Sequence, residues 1–318
     1  MDSSLWSLLK RHFSFQNIPL ILGILLLRMM SYLPMRVIYV LGSGMGEVLY
    51  WVHHSRRRVT ITNLSKCFPA LSPGKIRALA RAHFRKLLIG ALTMPIAWWG
   101  SSERIGRICI YRNRQILEDI QKDGRNIIIL APHFVGLEFL GMFLFSQMEM
   151  CSMYQKHRNP LMNEFLLQRR SRFGNRLYSK RSSLFSLIKM IKSSVAFYYL
   201  PDQDPGKKRG VFAKFYGIET ATYDSLNRIT RQSNALVLPC MARLQPFGGG
   251  YEIIFDPPLK HYPTGNGVAD ATTMNQAIEK LITQAPEQYF WAHRRFKTRP
   301  PGEKPFYKRK RRKRRKHT

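Results

Sequence analysis

The sequence predicts a layered α/β domain preceded by an apolar helical segment, and three patterns support this fold class. Short apolar runs alternate with helix-type stretches between residues 127 and 285. Apolar residues recur at helical spacing over residues 73–100. Residues 18–52 are apolar with few interruptions. A chain of 318 residues, 45% of them apolar, is long enough for one large domain with a helical appendage.

The apolar amino-terminal segment allows three interpretations. The run "IPLILGILLL", residues 18–27, is too short to span a bilayer as a helix, which needs about 20 residues. No cleavage site of the A-x-A kind follows it, which argues against a cleaved signal peptide. The segment is a signal anchor or re-entrant segment, a helical pair lying in the membrane interface, or a buried helical pair of a soluble protein. The cations of "HHSRRR", residues 53–58, favour the cytoplasmic side for a membrane segment.

The elements that follow are predicted from periodicity and from turn residues. Helices are predicted over residues 63–100, with a start signal at Ser72 and Pro73, and over residues 160–173, 183–193, 223–232 and 271–285. Strands are predicted over residues 127–130, 195–200, 235–244 and 249–257. Pro132 ends the first of these strands, and a helix is expected from Phe134 onward. This alternation is typical of an α/β layered domain.

The charge of the chain points to an anionic partner. Lysine and arginine outnumber acidic residues 52 to 19, which gives a net charge of +33. The carboxyl-terminal block "KRKRRKRRK", residues 308–316, is predicted to be a disordered tail that binds nucleic acid or an anionic leaflet. Without its nine cations the net charge is still about +24, so the body is basic too. Since no RNP, KH, helix-turn-helix or zinc pattern occurs, a nucleic-acid-binding protein is the weaker alternative and no nucleic acid is expected.

Four cysteines, Cys67, Cys109, Cys151 and Cys240, lie far apart and show no CxxC spacing. The sequence therefore predicts neither a disulfide framework nor a zinc ribbon, and it favours a reducing compartment.

His133 and Glu138 stand out in the run "NIIILAPHFVGLEFLGMFLF", residues 126–145. His133 follows a predicted buried strand, and open α/β sheets place ligands at the carboxyl ends of their strands. A neutral imidazole held by a carboxylate is a general base that can deprotonate a hydroxyl. A buried histidine paired with glutamate for structural reasons is the alternative. The metalloprotease pattern needs a second histidine four residues away, so no metal is expected.

Five blocks of the sequence together resemble a known family. They are "RRRVTITNLSKCFPALS", "APHFVGLEFLG", "YQKHRNPLMNEFLLQRRSRFG", "YYLPDQDPGKKRGVFAKFYGIETAT" and "PEQYFWAHRRFKTRPPGEKPFY". Their order and spacing resemble the bacterial lipid A late acyltransferases, the lauroyl and myristoyl transferases of lipopolysaccharide synthesis. These belong to the glycerolipid acyltransferase superfamily with its HxxxxD or HxxxxE motif. The resemblance covers about residues 6–307 and leaves out the polybasic tail.

This resemblance implies a glycerolipid-acyltransferase-like α/β domain over residues 59–307. Composition predicts a membrane-anchoring or interfacial helical segment over residues 1–58 before this domain and the polybasic disordered tail over residues 308–318 after it. The implied reaction transfers a fatty acyl chain from acyl carrier protein to a hydroxyl of a 3-hydroxyacyl chain on Kdo-lipid IVA. It requires no cofactor and takes place at an anionic membrane surface, the cytoplasmic face of the inner membrane. A related acyltransferase acting on a lysophospholipid or a glycolipid is the alternative.

The resemblance also implies roles for individual residues. His133 acts as the base and Glu138 orients it, while amide groups of residues 134–136 or a nearby cation stabilise the oxyanion. The apolar helix after His133 lines a slot for the acyl chain.

Arg170 matches the arginine that the family places near its active site, and it is expected to bind an anionic substrate group. Arg169 and Arg158 are further candidates for substrate binding. Asp202 positions a substrate or pairs with an arginine, or else caps a turn, and Asp204 is the expected turn residue.

Overall fold

The structure is a computed structural model that describes residues 3–179 and 184–307. The polybasic tail predicted over residues 308–318 lies outside the described residues.

The helices of the described residues pack on both sides of a central sheet, and the amino-terminal helices lie outside this layer. They are α1 (Ser3–Arg11), α2 (Ile18–Met30), α3 (Met35–Val52), α4 (His54–Cys67), α5 (Pro73–Trp99), α6 (Ser102–Arg107), α7 (Arg114–Lys122), α8 (Leu137–Phe145), α9 (Pro160–Arg170), α10 (Leu184–Lys192), α11 (Ser225–Ser233) and α12 (Gly267–Gln284). Short 3₁₀ turns occur at Phe15–Asn17, Pro246–Gly248 and Pro286–Gln288.

A seven-stranded, largely parallel sheet forms the centre of the molecule. The described residues contain nine strands, seven of which form this sheet. The nine strands are β1 (Cys109–Arg112), β2 (Asn126–Leu130), β3 (Met150–Tyr154), β4 (Arg176–Ser179), β5 (Ala196–Tyr199), β6 (Val211–Phe215), β7 (Ile218–Thr222), β8 (Ala235–Leu244) and β9 (Tyr251–Phe255). The sheet order is β1-β9-β8-β2-β5-β3-β4, in which β8 and β9 are antiparallel and the other neighbours are parallel. Strands β6 and β7 form a separate antiparallel hairpin.

The central strand β2 is buried on both faces, as its continuous apolar sequence predicts. Ile127 and Ile129 pack into one apolar core, whereas Ile128 and Leu130 pack into a second core on the other side of the sheet. Each of the four side chains is at most 6% exposed. The sheet is therefore covered by helices on both sides, and polar groups can reach it only at its edges.

Most of the predicted elements are confirmed, with shifts at their ends. The helix α8 begins at residue 137 rather than 134, because residues 133–136 form the turn that follows β2. The helix α12 begins four residues earlier than expected, because the Asn266 side chain accepts hydrogen bonds from the amides of Val268 and Ala269. Ser72 caps α5 by accepting a hydrogen bond from the amide of Lys75, as its start signal predicts.

The hairpin β6–β7 and the strands β1, β3 and β4 were not predicted. The hairpin turns at Tyr216 and Gly217, whose φ angles of 50° and 74° are both positive, as a type I′ turn requires. Tyrosine rarely adopts a positive φ, so the usual Asn-Gly signal is missing here. A tertiary contact supports the turn instead, since the Tyr216 amide donates to the Glu279 carboxylate of α12 at 2.7 Å.

The amino-terminal helices pack closely on α5. A Cβ atom on Gly42 or Gly46 of α3 would overlap backbone atoms of α5, so these glycines allow the two helices to approach. The predicted boundary between residues 58 and 59 falls inside α4, and the division into domains stays a prediction.

The predicted helical pair of the amino-terminal segment is present as α2 and α3, and its membrane role stays a prediction. Within the described residues, no helix combines the length and the apolar character needed to cross a bilayer. Of the eighteen large apolar side chains that are exposed among residues 3–179 and 184–307, fourteen precede residue 53, so the exposed apolar surface of the described part is concentrated in this region.

Candidate active site

The turn between β2 and α8 places His133 at the carboxyl edge of the sheet. Its side chain is 22% exposed, and it lies three residues after Leu130, the last residue of β2. The structure thus confirms the predicted strand, turn and helix, and the position of the histidine at the strand end.

Asp202 is the carboxylate that holds the imidazole of His133. Its Oδ1 lies 2.6 Å from Nδ1 of His133, and its Oδ2 accepts the His133 backbone amide at 2.9 Å. Burial raises the pKa of this carboxyl, which is 1% exposed, but the ring and amide of His133 outweigh burial and the net pKa is lowered. The ionised carboxylate can only accept, so Nδ1 carries the proton and Nε2 is left as the basic nitrogen.

Sheet topology explains why residues 133 and 202 meet. Strands β2 and β5 are parallel neighbours, and Leu130 is in register with Tyr199. His133 and Asp202 each follow these paired residues by three positions. The two side chains therefore emerge side by side at the same edge of the sheet.

The expectation that Glu138 orients His133 is corrected by the structure. Among the described residues, no hydrogen bond joins the two side chains. Glu138 instead binds Arg170 through two hydrogen bonds of 2.8 Å, and it accepts the indole N–H of Trp98 at 2.9 Å. Five residues separate His133 from Glu138, a spacing that does not place two side chains on one helical face. Glu138 is therefore a partner of the guanidinium.

Arg170 faces the same cavity as His133 and Glu138, as its predicted place near the site requires. Burial lowers the pKa of its guanidinium, but the Glu138 carboxylate outweighs burial and the net pKa is raised. The bidentate pair holds the guanidinium plane in one orientation. A fixed cation therefore lines the same cavity as the basic nitrogen.

The turn that carries His133 is held from behind by the segment around residues 288–290. The Phe290 amide donates to the carbonyl of His133 at 2.8 Å, and the Val135 amide donates to the carbonyl of Gln288 at 2.9 Å. The carboxyl-terminal motif "PEQYFW" thus acts as a backbone support for the histidine. Tyr289 and Trp291 of this motif are buried in the second core.

Two of the three amides that were expected to stabilise an oxyanion already donate to backbone carbonyls. The Val135 amide binds the carbonyl of Gln288, and the Phe134 amide donates to the carbonyl of Pro132 at 2.7 Å. Because these two donors already have partners, the amide of Gly136 and the cation of Arg170 stay as candidates for stabilising a developing negative charge.

A cavity of about 390 Å³ extends from His133 along α8. The helix α8 contributes four apolar residues at helical spacing to its wall, Leu137, Gly141, Met142 and Phe145. Its polar lining includes His133, Glu138, Arg170, Gln203 and Arg209. The apolar slot predicted along this helix is therefore present, with charged groups beside it.

The remaining predicted residues lie elsewhere. Arg169 is buried at 7% exposure and donates to Ser4, so its side chain points away from His133. Arg158 is exposed in the loop between β3 and α9 and is not part of the cavity lining. Asp204 accepts the Gly206 amide at 2.8 Å, which confirms it as the turn residue, and it also binds Thr298. In the part of the chain that the structure describes, Asp202 accepts its hydrogen bonds from His133, so neither the arginine partner nor the turn cap first considered for Asp202 is the contact that it makes, while its role in positioning a substrate stays a prediction.

The sequence contains a signal that would have paired His133 with Asp202. Both "APH" and "LPD" follow predicted buried strands directly, and each places its polar residue after a proline. Pairing the two strands as parallel neighbours would have brought the polar residues together.

Fold and site together define an α/β protein with a histidine–aspartate pair at the mouth of an apolar cavity. Such a pair is chemically able to deprotonate a hydroxyl, and the cavity has the dimensions of a small-molecule site with an apolar portion.

The family model described as "Bacterial lipid A biosynthesis acyltransferase" matches residues 10–298. The chain is 34% identical over 283 residues to the lipid A biosynthesis lauroyltransferase of Escherichia coli K12, with 88% of this chain and 92% of the relative covered. It is 32% identical to the palmitoleoyltransferase of the same organism over 86% of this chain and 90% of the relative. Identity to the myristoyltransferase is 28%, with 80% of each chain covered. The chain belongs to the bacterial lipid A biosynthesis acyltransferase family, and it is an acyltransferase enzyme.

Proposed function

We propose that this enzyme transfers a fatty acyl chain from acyl carrier protein to a hydroxyl of a 3-hydroxyacyl chain on Kdo-lipid IVA. The single observation that carries the proposal is the His133–Asp202 pair beside the apolar cavity along α8. Three relatives are named for the lauroyl, palmitoleoyl and myristoyl groups that they transfer, which supports a fatty acyl donor.

In the proposed mechanism, Nε2 of His133 removes the proton of the acceptor hydroxyl as its oxygen attacks the thioester carbon. Asp202 keeps the proton on Nδ1 and stabilises the imidazolium that forms. The resulting tetrahedral oxyanion lies near Arg170, which Glu138 holds in place. When the intermediate collapses, the carbon–sulfur bond breaks and the departing thiolate takes the proton from Nε2. The products are an ester and a free thiol, and the base is regenerated.

Both proposed substrates are anionic, which suits a basic protein. The acceptor bears phosphate and carboxylate groups, and the donor protein is acidic. The net charge of +33 and the guanidiniums of Arg170 and Arg209 in the cavity lining support this pairing. The anionic membrane surface completes the set of proposed partners.

We propose that the enzyme works at the cytoplasmic face of the inner membrane. Exposed apolar residues of α3, among them Val37, Val40, Leu41, Met45 and Val48, recur at helical spacing and form one apolar face. Leu22, Leu26 and Met29 extend this exposed apolar surface onto α2. A helix pair of this kind lies in the interface, and the cations of residues 56–58 follow it directly.

The test is acyl transfer to purified acceptor, followed by mass spectrometry of the product. His133→Ala and Asp202→Asn are each expected to lower kcat by about 10²–10⁴-fold, because the base or its tautomer is lost. His261→Ala, a change at an exposed histidine outside the cavity lining, is the control and is expected to retain activity. Normal turnover in both site variants would rule out the assignment of the base.

A further inference from the structure

A second cavity, of about 590 Å³, lies among α1, α2, the end of α5 and the turn after α9. Three guanidinium groups line it, that of Arg28 on α2 and those of Arg169 and Arg172 at and just after the end of α9. We call it the arginine cavity. Its remaining lining is aromatic or apolar and consists of Leu5, Trp6, Leu25, Tyr32, Trp98 and Trp99.

Aromatic rings stack on the guanidiniums and orient them. The Arg28 carbon Cζ lies 4.7 Å from the ring centre of Tyr32 and 5.7 Å from that of Trp99. The Cζ of Arg169 lies 5.7 Å from the same Trp99 ring. A ring contact of this kind lies on the face of a guanidinium, whereas its N–H groups donate in the plane of the group, as phosphate binding requires. In the structure Arg169 donates to the Ser4 hydroxyl at 3.1 Å. Arg172 donates to the backbone carbonyls of Ala97 and Gly100, so these guanidiniums are also held by protein partners.

Positive charge is concentrated around this cavity. Arg104 lies beside it, where it donates to the backbone carbonyls of Ser31 and Leu33. Burial lowers the pKa of Arg104, and the neighbouring charges of Arg107 and Arg28 lower it further. The partners that the structure shows for Arg28 are neutral, namely the Ser31 hydroxyl at 3.0 Å and the two rings. A bound anion would relieve the repulsion among these cations.

The surroundings of the cavity suit an amphiphile. Trp6 and Tyr32 line it and are also 42% and 66% exposed. Tyrosine and tryptophan favour the level of lipid headgroups, where an apolar ring and a polar edge are both accommodated. Leu25 carries the lining onto α2, whose exposed residues Leu22 and Leu26 offer an apolar path for lipid chains.

The arginine cavity is distinct from the catalytic cavity but adjacent to it. The ring of Trp98 lines the arginine cavity, while its indole N–H donates to Glu138 on the catalytic side. The consecutive residues Arg169 and Arg170 diverge in the same way, one toward each cavity.

We propose that the arginine cavity binds the phosphate group of a lipid. The phosphate belongs either to a membrane phospholipid or to the acceptor, and both present the same chemistry to the three guanidiniums. The proposal requires a lipid phosphate at the protein surface and does not require acyl transfer.

Binding can be followed by tryptophan fluorescence, because three of the five tryptophans line this cavity. The full chain in neutral detergent, without acyl donor, is titrated with dihexanoyl phosphatidate and with the uncharged dihexanoylglycerol. We expect saturable binding of the phosphatidate alone. Arg28→Gln and Arg172→Gln are each expected to weaken it by about tenfold or more, because each removes charge-assisted hydrogen bonds.

Arg36→Gln is the matched control, since this exposed arginine of α3 lies outside the cavity lining. We expect its affinity to stay within about twofold of the unmodified protein. An equal loss in Arg36→Gln would show only bulk attraction and would overturn the proposal, as would unchanged binding in the two cavity variants. Tight binding of dihexanoylglycerol to the unmodified protein would overturn it as well. This test needs no variant, so it stands even if a variant fails to fold.

A competition arm identifies the source of the phosphate. Displacement of phosphatidate by a bisphosphorylated disaccharide lipid supports the acceptor as the occupant, whereas no displacement supports a membrane phospholipid. Because binding is measured without acyl donor, its failure is distinct from a failure of the acyl transfer assay.

Discussion

At the scale of single residues, two carboxylates hold two different groups of the site, whereas the sequence predicted that Glu138 alone orients the base. Asp202 fixes the tautomer of His133, and Glu138 fixes the plane of Arg170. Each pair is held by its own short hydrogen bonds, so the base and the cation are positioned independently. Because of this separation, Nε2 of His133 can act on the hydroxyl that attacks the carbonyl carbon while the guanidinium of Arg170 faces the carbonyl oxygen.

A double-mutant cycle tests this division. Glu138→Gln and Arg170→Gln are expected to lower kcat by about tenfold or more each, and the double variant should be little worse than either, because the two residues act as one unit. The double variant Glu138→Gln, Asp202→Asn should instead lower kcat by a factor close to the product of the factors of the two single variants. Strong coupling between positions 138 and 202 would show that Glu138 acts on the imidazole after all. The measurement is kcat for acyl transfer at saturating acceptor.

At the scale of elements, the histidine turn is held between α5 and the carboxyl-terminal motif. The amide of Phe290 binds the carbonyl of His133, and on the other side Gly90 of α5 packs against the backbone of Val135. A Cβ atom at residue 90 would overlap the Val135 carbonyl. The position of the base therefore depends on two elements that are far from it in sequence.

Gly90→Ala is expected to displace this turn and to lower both activity and stability. The overlap with backbone atoms cannot be relieved by a side-chain rotation, so we expect a loss of about 1–3 kcal/mol in the free energy of unfolding. Gly44→Ala on α3 is the matched control, because nothing lies within 4 Å of the added Cβ and alanine favours the helix. Denaturant unfolding and the acyl transfer assay measure the two effects. An equally stable and active Gly90→Ala variant would contradict the role of this contact.

At the scale of the whole molecule, exposed apolar surface is concentrated at one end of the chain. Val48, 62% exposed, belongs to the apolar face of α3, whereas Val268, 50% exposed, stands on α12. This asymmetry predicts that one side of the molecule contacts lipid. Binding that rests on apolar burial should persist at high salt, whereas the contribution of the net charge should disappear.

Val48→Asn is therefore expected to weaken binding to vesicles of phosphatidylglycerol and phosphatidylethanolamine several-fold at 0.5 M salt. Val268→Asn is the control of the same residue type and similar exposure, and it should bind like the unmodified protein. Cosedimentation with vesicles provides the measurement. Equal binding of all three proteins would remove α3 from the membrane contact.

Stability of the whole molecule should also depend on pH through a buried histidine. His83 on α5 is fully buried, and burial lowers its pKa from 6.5 to about 4, although a bond to the Glu287 carbonyl opposes the shift. Below pH 6.5 the unfolded chain takes up a proton at this residue that the folded protein resists. The contribution of His83 to the free energy of unfolding is therefore fully present above pH 6.5 and is lost as the pH falls toward 4.

The loss amounts to about 3 kcal/mol for His83, because one pKa unit corresponds to 1.36 kcal/mol. His83→Gln is expected to flatten this pH dependence, while His261→Gln, at an exposed histidine, should leave it unchanged. Denaturant midpoints between pH 4 and 7 in detergent measure the effect. A slope that is the same in all three proteins would contradict the assignment to His83. The pKa of His293 is also lowered to about 4 by burial, so part of the slope should remain in His83→Gln.

Local patterns determined much of this protein. The apolar run before Pro132, the cap at Ser72 and the spacing of apolar residues after residue 136 specified β2, α5 and the apolar wall of the cavity. The resemblance in five blocks specified the family. The strand, the helix and the apolar wall depend on residues within a few turns of one another, which is the range over which backbone propensity and periodicity act, whereas the resemblance depends on the order of blocks along the whole chain.

Only the tertiary structure decided which acid holds the base and where each arginine points. His133 and Asp202 are 69 positions apart and meet because β2 and β5 are parallel neighbours. Arg169 and Arg170 are adjacent in sequence, yet they line different cavities because consecutive residues of a helix point in different directions. Strand order and helix rotation are set by packing of the whole core, so local sequence determines which groups are present and the fold decides which of them meet.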